Sequence, residues 1–210
     1  AAGTVDISAG STTANISFNL VGETTYELDE TIILTLASAT NADVRGQDTH
    51  TYTITNDDAA PTIDFNAASA SGNEATTSFN ITVDLSVASG VDATMDYVVT
   101  GTATGGGVDY TLADATATIS AGATTTTIPV IVVNDALYEN NETIIVTGRS
   151  PSNATLGSDD VHTYTITNVS GNDDKPTIDF NATAASYAEG SGTPTATVDL
   201  SAASGLSSSI

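Results

Sequence analysis

Apolar and polar residues alternate from Ser78 to Leu85, in the order Ser-Phe-Asn-Ile-Thr-Val-Asp-Leu. That period of two predicts a strand with one buried face. Six further runs rich in β-branched residues share the character, so the predicted strands cover residues 62–65, 77–85, 94–100, 115–119, 125–133, 143–149 and 161–168. The first is expected to bend or break before Glu74. Pro129, near the start of the fifth, lacks a ladder donor and marks an edge or a bulge. No segment carries a convincing helical period. Seven short strands separated by turn signals predict an all-β chain built on a seven-stranded antiparallel sandwich.

The same patterns occur twice. Residues 7–10 and 119–122 both read ISAG, 50–56 and 162–168 both read HTYTITN, 61–66 and 176–181 both read PTIDFN, and 83–86 and 198–201 both read VDLS. The offset is 112 residues up to the HTYTITN run and 115 after it, with three residues inserted around positions 169–172. A period of that length is a whole domain rather than a solenoid turn. Residues 1–58 therefore read as the C-terminal part of one unit, 59–174 as a complete unit and 175–210 as the N-terminal part of a third. The chain is expected to be a stretch of a longer array. The competing expectation is strand exchange, in which the end of one chain completes the start of the next as a homopolymer.

Charge changes the picture. The chain has 26 Asp and Glu against three basic residues, Arg45, Arg149 and Lys175, for a formal charge of −23. Such a surface excludes phosphate-backbone recognition and attraction to anionic membranes. Self-repulsion on this scale opposes a compact state unless cations bind or screen it. The 40% hydrophobic content and the strand patterns nevertheless argue for folding over disorder. There is no cysteine, so neither disulfides nor thiolate zinc sites arise. His50 and His162 lack a second nitrogen ligand nearby, and no nucleophile elbow or sugar cleft is visible, so no enzyme is expected.

The acids are not spread evenly. Residues 133–143 read VNDALYENNET and residues 21–31 read VGETTYELDET, each an acidic turn between two strand-like runs, with Tyr26 and Tyr138 as tip-packing residues. If successive strands alternate in direction, every second loop lies at the same end. That end collects Glu74, Asp109, Asp135, Glu139, Glu142, Asp173 and Asp174. The opposite end is rich in Ala, Ser, Gly and Asn, with Asp92, Asp159 and Asp160 as its acids. Like charges crowded at one tip call for a hard cation with oxygen ligands, and calcium, which takes six to eight oxygens, fits better than magnesium.

The motifs Gly101-Thr102-Ala103-Thr104, Val108-Asp109-Tyr110, Ile119-Ser120-Ala121-Gly122, the acidic turn from Asn134 to Thr143, and Thr165-Ile166-Thr167-Asn168 resemble, in order and spacing, those of the Calx-beta domain. The resemblance implies a two-sheet Greek-key sandwich, immunoglobulin-like in architecture, with Ca2+ at one tip. By resemblance the ligands are Glu74, Asp109, Asp135, Glu139 or Glu142, Asp173 and Asp174. In the preceding unit they are Glu23, Glu27, Glu30, Asp57 and Asp58. Asn134 and Asn141 stand where a fuller member carries acids, Gly22 and Glu23 replace the Asn-Asp pair in the first unit, and the closing acids of the complete unit are displaced from their strand. Fewer ions or weaker binding are expected. The resemblance also implies a secreted, calcium-rigidified stalk or filament repeat of a large bacterial surface protein, with neighbouring repeats as partners. The alternative is a calcium-dependent module binding a glycan or protein, against which the 5% aromatic content speaks.

Overall fold

In the computed structural model, which describes residues 3–169 and 173–210, alternation along the strands is what closes the sandwich. Fourteen strands and no helix occur among the described residues. Two belong to the first part of the chain, β1 (Glu30–Thr35) and β2 (Thr49–Ile54). Ten follow: β3 (Thr62–Phe65), β4 (Ser69–Asn73), β5 (Ser78–Leu85), β6 (Ala93–Gly101), β7 (Tyr110–Thr111), β8 (Ala115–Ile119), β9 (Thr125–Val132), β10 (Glu142–Ser152), β11 (Thr155–Leu156) and β12 (Val161–Thr167). The last two are β13 (Ile178–Phe180) and β14 (Val198–Leu200).

The ten middle strands form two five-stranded sheets, ordered β4-β12-β10-β6-β8 and β11-β3-β5-β9-β7. One sheet turns Tyr164, Ile166, Ile144, Val146, Met95, Ala117 and Ile119 inward. The other answers with Ile63, Phe65, Ile81, Val83, Leu85, Ile128, Val130 and Val132. These residues are every second position of their strands, so the period of two in the sequence becomes the dry seam between sheets. Phe79 stacks on Tyr164 with ring centroids 3.7 Å apart, extending the seam toward one end. His162 lies in the same core, tilted against Phe65, with Nδ1 2.6 Å from the Ala67 carbonyl.

All seven predicted runs are strands. The break before Glu74 is a change of sheet: β3 joins one sheet, and after three residues β4 joins the other as the parallel neighbour of β12. Pro129 faces Asn80 of β5, and β7 covers β9 only at Ile131 and Val132, so the proline sits where β9 is an open edge. Strands β4, β7 and β11 are additions to the sequence reading. The flanking parts repeat the pairing of the middle. β1 and β2 pair Glu30 with Ile54, as β10 and β12 pair Glu142 with Ile166. β13 and β14 pair Ile178 with Leu200, as β3 and β5 pair Ile63 with Leu85.

Candidate metal centre

Four chain-distant segments meet at one end of the sandwich: antiparallel pairing brings the ends of β6 and β9 and the start of β10 there, and the parallel pairing of β4 with β12 sets Glu74 beside the end of β12. Backbone bonds tie the segments together. Glu74 N–H donates to the Thr167 carbonyl at 3.1 Å, Val133 N–H to the Asp109 carbonyl at 2.8 Å, and Thr102 N–H to the Thr143 carbonyl at 3.0 Å. Thr143 N–H in turn donates to Thr102 Oγ1 at 2.9 Å. Gly101 makes this approach possible: its φ is +134°, and a Cβ there would lie 2.0 Å from the Thr143 carbonyl oxygen. Asp109 is held by its own loop, with Thr104 N–H donating to Oδ2 at 2.5 Å and Asp109 N–H to the Thr104 carbonyl at 3.0 Å. Asp135 Oδ1 accepts Leu137 N–H at 2.8 Å, an Asx turn that starts the acidic loop.

The result is a cavity of about 10 Å³, room for one water-sized body, lined by Glu74, Asp109, Asp135, Glu139, Asn140 and Glu142 with Val133 and Ile166 behind. Carboxylate oxygens of Asp109, Glu139 and Glu142 all lie within 4.8 Å of one another. Asp173 is 3% exposed, and its Oδ2 accepts Val169 N–H at 2.9 Å. Its Oδ1 is buried without a hydrogen-bond partner among the described residues. Among the described residues, no Lys or Arg lines the cavity.

Electrostatics record the crowding. Burial, then the charges of Asp173, Asp135 and Glu139, push the Glu74 carboxyl from 4.5 up to about 7 against one lowering backbone hydrogen bond. Burial, then a hydrogen bond and the charge of Asp109, with Glu139 and Glu74 behind, push Glu142 up to about 7 as well. Glu139 is raised by burial and by Asp109, Asp135 and Asp173. Each acid is strained by the others, which a cation among them would reverse. The donor set is all oxygen, which fits a hard cation rather than zinc or copper.

The structure thus brings Glu74, Asp109, Asp135, Glu139 and Glu142 to one cavity, with Asp173 in electrostatic reach. Asp174 is exposed and does not line it. A wider groove of about 130 Å³ in the first part of the chain is lined by Glu23, Glu27, Glu30, Asn56, Asp57 and Asp58, the acids expected there. Burial, then Glu23 and Asp57, raise the Asp58 carboxyl. Sequence reading missed Asn168, whose Nδ2 donates to the Glu139 carbonyl at 2.5 Å, and its counterpart Asn56, whose Oδ1 accepts Glu27 N–H at 3.2 Å. The signal was present as the asparagine closing both HTYTITN runs.

The sequence profile of the Calx-beta domain matches residues 56–169, more than half of the chain. The chain belongs to the Calx-beta domain family. No curated protein matches it. Among solved structures, the apo-form Calx CBD1 domain is similar at 18% identity and a TM-score of 0.49, with 53% of this chain and 99% of that one covered. The Calx CBD2 domain is similar at 13% identity and a TM-score of 0.47, covering 52% and 88%. CBD12 from CALX1.2 is similar at 17% identity and a TM-score of 0.47, over 51% of this chain and 44% of that one. The chain thus spans less than half of that CBD12 structure. The profile's 56–169 brackets the sandwich from Asn56, which opens the groove acids of the first part, to Val169, which holds Asp173.

Proposed function

We propose that the complete unit is a non-catalytic calcium-binding module, repeated in tandem as a stiff extracellular stalk or filament of a bacterial surface protein. The observation that carries this reading is the set of mutually repelling carboxylates around a cavity of one-ion size, with a buried Asp173 oxygen left unpartnered beside it. A bound Ca2+ would supply the missing positive charge, and Glu74, Asp109, Asp135, Glu139, Glu142 and Asp173 would be its holders. Family membership supports the same cation. The repeated motifs and the repeated strand registers support the tandem reading.

Calorimetric titration of the chelator-stripped chain with calcium tests the module. Saturable binding is expected, weakened about tenfold or more by Glu142→Gln and changed less than about twofold by Asp159→Asn at the opposite end. Absence of saturable binding, or equal effects of the two substitutions, removes the assignment. The stalk reading is tested by small-angle scattering with and without chelator. A maximum dimension unchanged by calcium removal argues against calcium as the stiffener.

A further inference from the structure

At the end of the sandwich away from the carboxylates lies a Ser-Gly loop that touches the preceding unit. Ser89 is 1% exposed. Its hydroxyl donates to the Tyr26 carbonyl at 3.2 Å, and Gly90 N–H donates to the same carbonyl at 2.9 Å. Val91 N–H completes the loop by donating to Ser89 Oγ at 3.2 Å. Tyr26 sits in the acidic turn of the first part of the chain.

The arrangement occurs again one repeat later, between different residues. Ser204 Oγ donates to the Tyr138 carbonyl at 3.2 Å, Gly205 N–H donates to that carbonyl at 3.1 Å, and Leu206 N–H donates to Ser204 Oγ at 3.1 Å. Tyr138 and Ser204 form a parallel bridge. Both glycines are packed closely by the glutamate after the tyrosine. A Cβ on Gly90 would lie 2.6 Å from Glu27 Cγ, and one on Gly205 2.8 Å from Glu139 Cγ. Neither glycine has a left-handed φ, so it is the neighbour, not the loop's own backbone, that excludes a side chain.

We propose that the Ser-Gly loop of each repeat is the socket for the acidic turn of the repeat before it, joining successive copies of this domain through a two-donor clasp on one tyrosine carbonyl. The partner is therefore another copy of the same repeat, presented by its turn. The acceptor is a main-chain carbonyl and one of the two donors is a main-chain N–H, so the clasp tolerates sequence change in the turn as long as Ser, Gly and a small gap are kept. It requires no cation, and it goes beyond the calcium reading without depending on it.

The test uses the whole chain in EDTA, so that failure of the calcium reading leaves it unaffected. The chain has no cysteine, so Asn41→Cys with Thr127→Cys places one spin label on each side of the first junction, both on exposed positions. A narrow distance distribution is expected for the parent, broadened by Gly90→Val. Ser89→Ala, which removes one donor without adding volume, is the second variant. In it the Gly90 amide should exchange at least about fivefold faster, the effect of losing one hydrogen bond. A parent already as broad as the Gly90→Val variant overturns the proposal. So do two variants that keep the parent's distance distribution and Gly90 exchange rate.

Discussion

Glu74 and Glu142 are the two side chains on which the site's chemistry turns. In the metal-free protein both hold their protons to about pH 7, whereas unfolded glutamate releases them near 4.5. Between those values the native state binds more protons than the unfolded state, so stability is full below pH 4.5 and falls as pH rises through 7. Calcium held as proposed by the deprotonated pair would invert the sign. Thermal melts in EDTA should therefore show a lower midpoint at pH 8 than at pH 5.5, and melts in calcium should not. A midpoint in EDTA that rises over that range would contradict the crowding described above. Glu142→Gln should mimic the protonated form. At pH 8 in EDTA it should stabilise the chain by on the order of 1–2 kcal/mol, discounted for partial exposure, while lowering calcium affinity.

At the scale of elements, the acidic turn is held in place from below. Thr143 at the start of β10 exchanges bonds with Thr102, which follows the Gly101 end of β6. Gly101→Ala puts a methyl into the Thr143 carbonyl and forces a non-glycine residue to a φ of +134°. It should destabilise the sandwich by about 2 kcal/mol or more, read as a shift in the urea midpoint. Ser120→Ala, at the opposite end, should move that midpoint little. These elements also show what a sequence can and cannot reveal. The seven predicted strands were legible because each places every second side chain in the core. β4, reading Ser-Ala-Ser-Gly-Asn, has no apolar period, and its strand form comes from lying beside β12. β7 and β11, two residues each, are too short for any period to appear. The acids of the site were legible because alternating strand direction assigns loops to ends. Asn168 recurs as the last residue of both HTYTITN runs, but recurrence alone does not give its part, which lies in one bond to the Glu139 backbone that no spacing encodes.

For the molecule as a whole, a charge of −23 makes two effects of added salt separable. Repulsion among scattered surface acids is screened over a Debye length of about 8 Å at physiological ionic strength. Sodium chloride should therefore raise the melting midpoint of the metal-free chain gradually, without saturation. The oxygens of Asp109, Glu139 and Glu142 lie within 4.8 Å of one another, inside that length and partly buried, so diffuse ions relieve them poorly. A cation seated among them acts by mass action instead. Calcium at a hundredfold excess over its dissociation constant should add about 2.7 kcal/mol and then level off. Magnesium at matched ionic strength should add less, because its octahedral shell and tightly held waters suit a carboxylate cage poorly. Melts in EDTA with stepped sodium chloride, compared with stepped calcium and magnesium at constant ionic strength, separate these contributions. If all three salts give the same curve, the tip carboxylates are a solvated acidic end and the calcium reading fails.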